Sequence, residues 1–159
     1  MKPTIDILVR STRWRAQPRA RATIIKAITA AAAATRRTHV ELAVVLTGDR
    51  AIRTLNRDWR GFDKPTNVLS FPALPQPRRR GPALLGDVVI AYETVAREAK
   101  AEGKPFLHHL SHLAVHGFLH LIGYDHQQNQ QAEAMERLER RVLARLKVPD
   151  PYAGEAARA

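Results

Sequence analysis

Three histidines have the types and spacing for chemistry: His116, His120 and His126, in the segment HGFLHLIGYDH. Residues four apart on a helix project from one face, so His116 and His120 can present two imidazoles to one ion. Imidazole nitrogens bind zinc at about 2.0–2.1 Å. Gly123 is expected to end the helix, in the way a glycine tolerates a left-handed turn, and the chain can then return His126 to the same ion. Three histidine ligands leave a fourth position open for water, the pattern of a catalytic site. One zinc ion is expected; nickel, copper and iron also accept imidazole. The chemistry this points to is metal-assisted hydrolysis.

The spacing matches the metzincin frame H-E-x-x-H-x-x-G-x-x-H with one change. Gly117 stands where a metalloprotease carries its glutamate base. That loss argues against a standard peptidase and leaves hydrolysis open, because a metal alone lowers the pKa of bound water towards about 7. His112 and His108 continue the same helical face upstream. They are candidates for orienting the ligands, for touching a substrate phosphate, or for simple solvation. Asp125 either steadies His126 through its second ring nitrogen or satisfies backbone amides in the turn.

These residues need a scaffold, and the sequence supplies an α+β pattern. Short β-branched runs predict strands at 5–9, 40–46, 68–71 and 85–91. Helices are predicted at 18–36, 49–56, 93–102, 106–122 and 130–146. Asp49 is the expected N-cap of the second, and Met135, Leu138, Val142, Leu143 and Leu146 form one apolar side of the last. The expected fold is a single α+β domain over 1–148. A small mixed sheet of about four strands packs with about five helices, and a metzincin-like helix binds the metal. Residues 149–159 are expected to form a disordered tail. The loop from Pro75 to Pro82 is basic and rich in proline.

Composition narrows the partners. The chain has 26 Lys and Arg against 15 Asp and Glu, a formal charge of +11, which favours a polyanion such as nucleic acid. Without cysteine there are no disulfides, thiolate metal sites or cysteine nucleophiles. The first fifteen residues hold only a short apolar run, broken by Asp6 and Arg10, so no signal peptide, anchor or membrane span is expected.

The signature at 116–126 closely resembles that of the YbeY family of bacterial endoribonucleases. Two further segments, LNRDWRGFDKPTNVLSFP at 55–72 and LGDVVIA at 85–91, strengthen the resemblance. It runs from the first strand to the last helix. The resemblance implies zinc on His116, His120 and His126. It also implies a cytoplasmic, single-strand-specific endoribonuclease acting in maturation of the 3′ end of 16S rRNA and in ribosome quality control. The small ribosomal subunit, a ribosomal protein and an assembly GTPase are the implied partners. Arg60 occupies the place of a family arginine important for activity, and its planar fork suits two phosphate oxygens. Asn67 stands where the family often has aspartate, so no proton-transfer role is assigned to it.

On this reading Arg60 and His116 are the catalytic candidates. Arg57, Lys64 and His112 are candidate substrate contacts, along with the run Arg78 to Arg80. Trp59, Phe62, Phe71 and Tyr124 are candidates for stacking on bases or for core positions. Two other readings stay open: a metal-dependent peptidase or other hydrolase, and a non-catalytic RNA-binding assembly factor.

Overall fold

The backbone alternates strand and helix up to the third strand, which is followed directly by the fourth to complete a four-stranded sheet. The computed structural model describes residues 1–76, 80–125 and 127–153. Strands β1 (Thr4–Val9), β2 (Val40–Thr47), β3 (Val68–Pro72) and β4 (Ala83–Ala91) lie in the order β1-β2-β4-β3. β1, β2 and β4 are parallel, and β3 runs antiparallel to β4 at the edge. Helices α1 (Ala20–Ala34), α2 (Asp49–Arg60), α3 (Tyr92–Ala101), α4 (Phe106–Leu121) and α5 (Asn129–Arg145) complete the domain. The expected α+β class and mixed sheet are observed. No helix among the described residues is long and apolar enough to cross a membrane.

Alternation along the strands builds two cores. Leu42, Val44 and Leu46 of β2, with Val88 and Ile90 of β4, point to the larger one, made with α1, α4 and α5. Val89 and Ala91 point the other way, to a smaller cluster with Leu69 and Ile52 of α2. β3 follows the same rule. Leu69 and Phe71 meet the α2 side, so Val68 and Ser70 face α4. That register turns one edge strand towards the histidine helix.

Two glycines permit close approaches. A Cβ on Gly117 would lie 2.7 Å from Val88 Cγ1 and 3.3 Å from Ser70 Oγ, so α4 rests directly on β3 and β4 there. Ser70 Oγ donates to the Gly117 carbonyl at 2.9 Å. Gly86 has φ +127°, and a Cβ on it would fall 2.1 Å from the Phe71 carbonyl. It sits where the β2–β4 register shifts, the usual place for a bulge glycine.

Local boundaries depart from the sequence expectation in instructive ways. α2 continues past Asn56 to Arg60, because the left-handed stop is Gly61 at φ +79°. Its N-cap is Gly48, not Asp49. The Asp49 carboxylate instead accepts from Thr94 N and Oγ1 in the first turn of α3, while Glu93 of α3 accepts from the Asp49 amide. The two helices therefore cap one another where they leave the neighbouring central strands β2 and β4. A short 3-10 turn at Thr12–Ala16, absent from the sequence reading, buries Trp14, whose indole donates to the Thr47 carbonyl at 2.9 Å.

Candidate functional site

Helix α4 is buried along most of its length, yet His112, His116 and His120 emerge at intermediate exposure on one face. Gly123 ends the helix region at φ +103°, as its spacing predicts. The Nε2 atoms of His116 and His120 lie 3.1 Å apart. A tetrahedral ion with bonds of about 2.0–2.1 Å has ligand edges of about 3.3 Å, so this separation fits two imidazoles sharing one ion. His126 lies outside the described residues. Asp125 Oδ1 accepts from the Gln127 amide at 3.1 Å, which is its turn-forming role.

Behind these rings lies a residue that the sequence reading passed over. Glu139 of α5 has no exposure. Its Oε1 meets His116 Nδ1 at 3.1 Å, its Oε2 meets His112 Nε2 in a short contact, and Tyr152 donates its hydroxyl to Oε2 at 2.8 Å. Burial alone would raise the Glu139 pKa. The hydrogen bonds and charges of His112 and His116 outweigh burial and hold it at about 2. An ionised carboxylate only accepts, so both rings must donate to it. His116 then carries its proton on Nδ1, which leaves the Nε2 lone pair facing His120 when the ring is neutral.

By distance, one donor atom each from His112, His116 and Glu139 fall within 4.8 Å of one another, and this group could hold a metal ion. Its internal hydrogen bonds favour another division of labour. Glu139 Oε2 is already taken by His112 Nε2 and the Tyr152 hydroxyl, and Oε1 by His116 Nδ1. The carboxylate–histidine arrangement is the one that fixes the tautomer of a metal-binding imidazole from behind. Tyr152 belongs to the segment expected to be a disordered tail; residues 154–159 of it lie outside the described residues.

A cleft of about 480 Å³ opens in front of the rings. His116, His120 and Asp125 line one wall; Thr66, Asn67, Ser70 and Pro72 of the β3 edge line another; Arg60 stands at the end of α2. The structure thus joins Arg60 to the histidines across 56 residues of sequence. His112 lines an adjoining hollow of about 230 Å³ with Asn67, Glu98, His109 and Tyr152. There Asn67 Nδ2 donates to Glu98 Oε1 at 2.9 Å, and His109 Nε2 meets the same oxygen at 2.9 Å. Burial pushes the Glu98 pKa up, and these two hydrogen bonds together with the charges of His109 and Lys104 more than reverse it, so it lies below its ordinary value.

The other candidates divide. His108 lines a separate groove with Lys104 and Pro149. Arg57 pairs with Asp58 at 2.9 Å and does not line the cleft. Lys64 sits 5.8 Å from the Phe62 ring centre. Phe71 and Tyr124 are packed against the cores, whereas Trp59 and Phe62 are exposed. Pro77, Arg78 and Arg79 lie outside the described residues; Arg80 is exposed.

Glu139 had a sequence signal. It lies four residues after Met135 and three before Val142, on the buried stripe of α5. A carboxylate in such a stripe needs a partner, and the partners are histidines.

Fold and site together define an α+β domain with an imidazole cluster, backed by a buried carboxylate, laid over the edge of a mixed sheet. The chain belongs to the endoribonuclease YbeY family, whose model matches residues 7–147. It is 58% identical to the endoribonuclease YbeY of Rhodopseudomonas palustris (strain BisA53), covering 96% of this chain and 92% of that one. It is 57% identical to the endoribonuclease YbeY of Bradyrhizobium sp. (strain BTAi1 / ATCC BAA-1182), covering 95% and 93%. A solution structure from Thermotoga maritima superposes with TM-score 0.55 at 23% identity, covering 91% of this chain and 92% of that one, which supports the fold alone.

Proposed function

We propose that this protein is a zinc-dependent, single-strand-specific endoribonuclease that matures the 3′ end of 16S rRNA and serves ribosome quality control. The observation that carries this reading is the 3.1 Å convergence of His116 and His120 Nε2 in a cleft that also receives Arg60. The names of the relatives supply the substrate class. His116, His120 and His126 would hold the ion. Zinc supplies Lewis acidity to a phosphate oxygen or to water when bound.

The chain's own residues do the rest. Glu139 takes the Nδ1 proton of His116 in a hydrogen bond and keeps Nε2 free to bind. Arg60 offers two parallel N–H groups to the non-bridging oxygens of the scissile phosphate, where charge grows during cleavage. Among the described residues Asp125 is the carboxylate lining the cleft, and its Oδ1 already holds the Gln127 amide. Either the RNA 2′-hydroxyl or a water can then serve as nucleophile, and a cyclic phosphate at the product end distinguishes the first route. The peptidase alternative loses further ground at Gly117, where packing on Val88 leaves no room for a glutamate.

On this reading the partners are RNA of the small ribosomal subunit, a ribosomal protein and an assembly GTPase, met in the cytoplasm. The test compares the wild-type protein with His116→Ala for bound zinc and for cleavage of single-stranded and structured rRNA fragments. Loss of zinc and of single-strand cleavage together is expected. Cleavage that survives complete loss of the metal would overturn zinc catalysis. RNA binding without any cleavage by the zinc-loaded wild type would favour an assembly factor.

A further inference from the structure

Two large aromatic rings stand exposed beside Arg60, a residue that lines the cleft. Trp59 is 72% exposed and Phe62 is 49% exposed. They flank Arg60, which lines the cleft, at the point where α2 ends at Gly61. The indole of Trp59 is steadied edge-on by Phe71 of β3, with centroids 6.0 Å apart at 69°. The ring of Phe62 has the Arg60 guanidinium 5.4 Å and the Lys64 ammonium 5.8 Å from its centre. Arg60 and Lys64 enter no ion pair among the described residues, whereas nearby Arg53 and Arg57 are paired to Asp63 and Asp58.

We propose that Trp59 and Phe62 form a stacking platform for the bases of single-stranded RNA that flank the phosphate held in the histidine cleft. This rests on the ribonuclease reading above and adds to it a means of choosing single strands. Exposed aromatic rings beside cations that no carboxylate among the described residues neutralises fit a polyanion whose bases are free to stack. A duplex hides those faces within its own stack, so the platform discriminates against it. An apolar protein partner would leave Arg60 and Lys64 desolvated without a counter-charge, which burial penalises. Phe71 and Tyr124 do not share the role, because they are packed against the cores.

The experiment measures binding of the full-length, zinc-loaded protein to two labelled oligomers of equal length with 2′-O-methyl sugars, which resist cleavage. One carries bases and the other is abasic at the positions flanking the central phosphate. Trp59→Ala and Phe62→Ala are each expected to weaken binding of the first by roughly 5- to 150-fold. Trp59→Ala should leave the abasic oligomer unchanged, and Trp59→Phe should restore most of the loss. Intrinsic fluorescence gives an independent signal: Trp14 is buried, so quenching on RNA addition should come from Trp59 and vanish in Trp59→Phe. Equal losses for both oligomers, or no loss for either, would overturn the platform. A wild-type protein that binds neither oligomer would overturn the ribonuclease reading itself.

Discussion

Glu139 reaches His116 from a position with no exposure: its Oε1 lies 3.1 Å from His116 Nδ1, on the side of the ring away from His120. A second helix thereby fixes the proton on the first. Glu139→Gln keeps the shape and removes the charge that holds this tautomer. Zinc affinity should fall about 10- to 100-fold, measured by competition with a chelator. Unchanged affinity would show that the carboxylate only fills space.

Tyr152 donates to the same carboxylate at 2.8 Å, and its ring lies 5.2 Å from the Arg140 guanidinium. Tyr152→Phe removes the hydroxyl and retains the ring. A hydrogen bond to a charged group contributes about 1.5–3 kcal/mol, so denaturant melts should show a loss of that order. A midpoint equal to wild type would mean that water replaces the hydroxyl without cost.

Gly117 is required by packing. In Gly117→Ala the new methyl meets Val88 at 2.7 Å, and overpacking of this kind costs about 1–3 kcal/mol. The denaturation midpoint should drop with little change in slope. Gly86→Ala should be worse, because its methyl meets a backbone carbonyl at 2.1 Å and the residue has φ +127°. If Gly86→Ala proves as stable as wild type, the bulge does not need glycine.

Acid should weaken the cluster formed by Asn67, Glu98 and His109. The folded pKa of Glu98 is depressed, so its contribution is fully present above its ordinary value of 4.5 and is lost as pH falls through the folded value. The side chain is 37% exposed, and solvent screening keeps the effect small. Stability of wild type minus Glu98→Gln, followed from neutral to acid pH, should shrink on that side. A difference independent of pH would remove the linkage.

Arg60→Lys keeps a charge and loses the planar fork. Cleavage should fall sharply while the salt dependence of RNA binding changes little. Cleavage restored to wild-type level by lysine would mean that charge alone suffices. RNA affinity that barely responds to salt would count against a phosphate-tracking surface.

Much of the site was legible in one dimension. The spacing of His116 and His120 dictates a shared face because a helix repeats every 3.6 residues, and Gly123 marks its end for steric reasons. The strand alternation that splits β4 between two cores is likewise local. Asp49 shows where local reasoning failed. Its type suits an N-cap, but the donors it satisfies belong to Thr94, brought alongside only when β2 and β4 pair.

The sequence by itself offered His116, His120 and His126 as residues that could share an ion, and it ruled out thiolate chemistry. It also marked the chain's basic character and, through Gly117, the absence of a protease base. Only the tertiary structure decided which proton His116 carries, because Glu139 and Tyr152 arrive from a separate helix and from the segment beyond it. It also separated exposed Trp59 and Phe62 from packed Phe71 and Tyr124, a distinction that composition cannot make. The physical reason is common to both: burial and hydrogen-bond partnership depend on which surfaces meet, and residues far apart in sequence set those meetings.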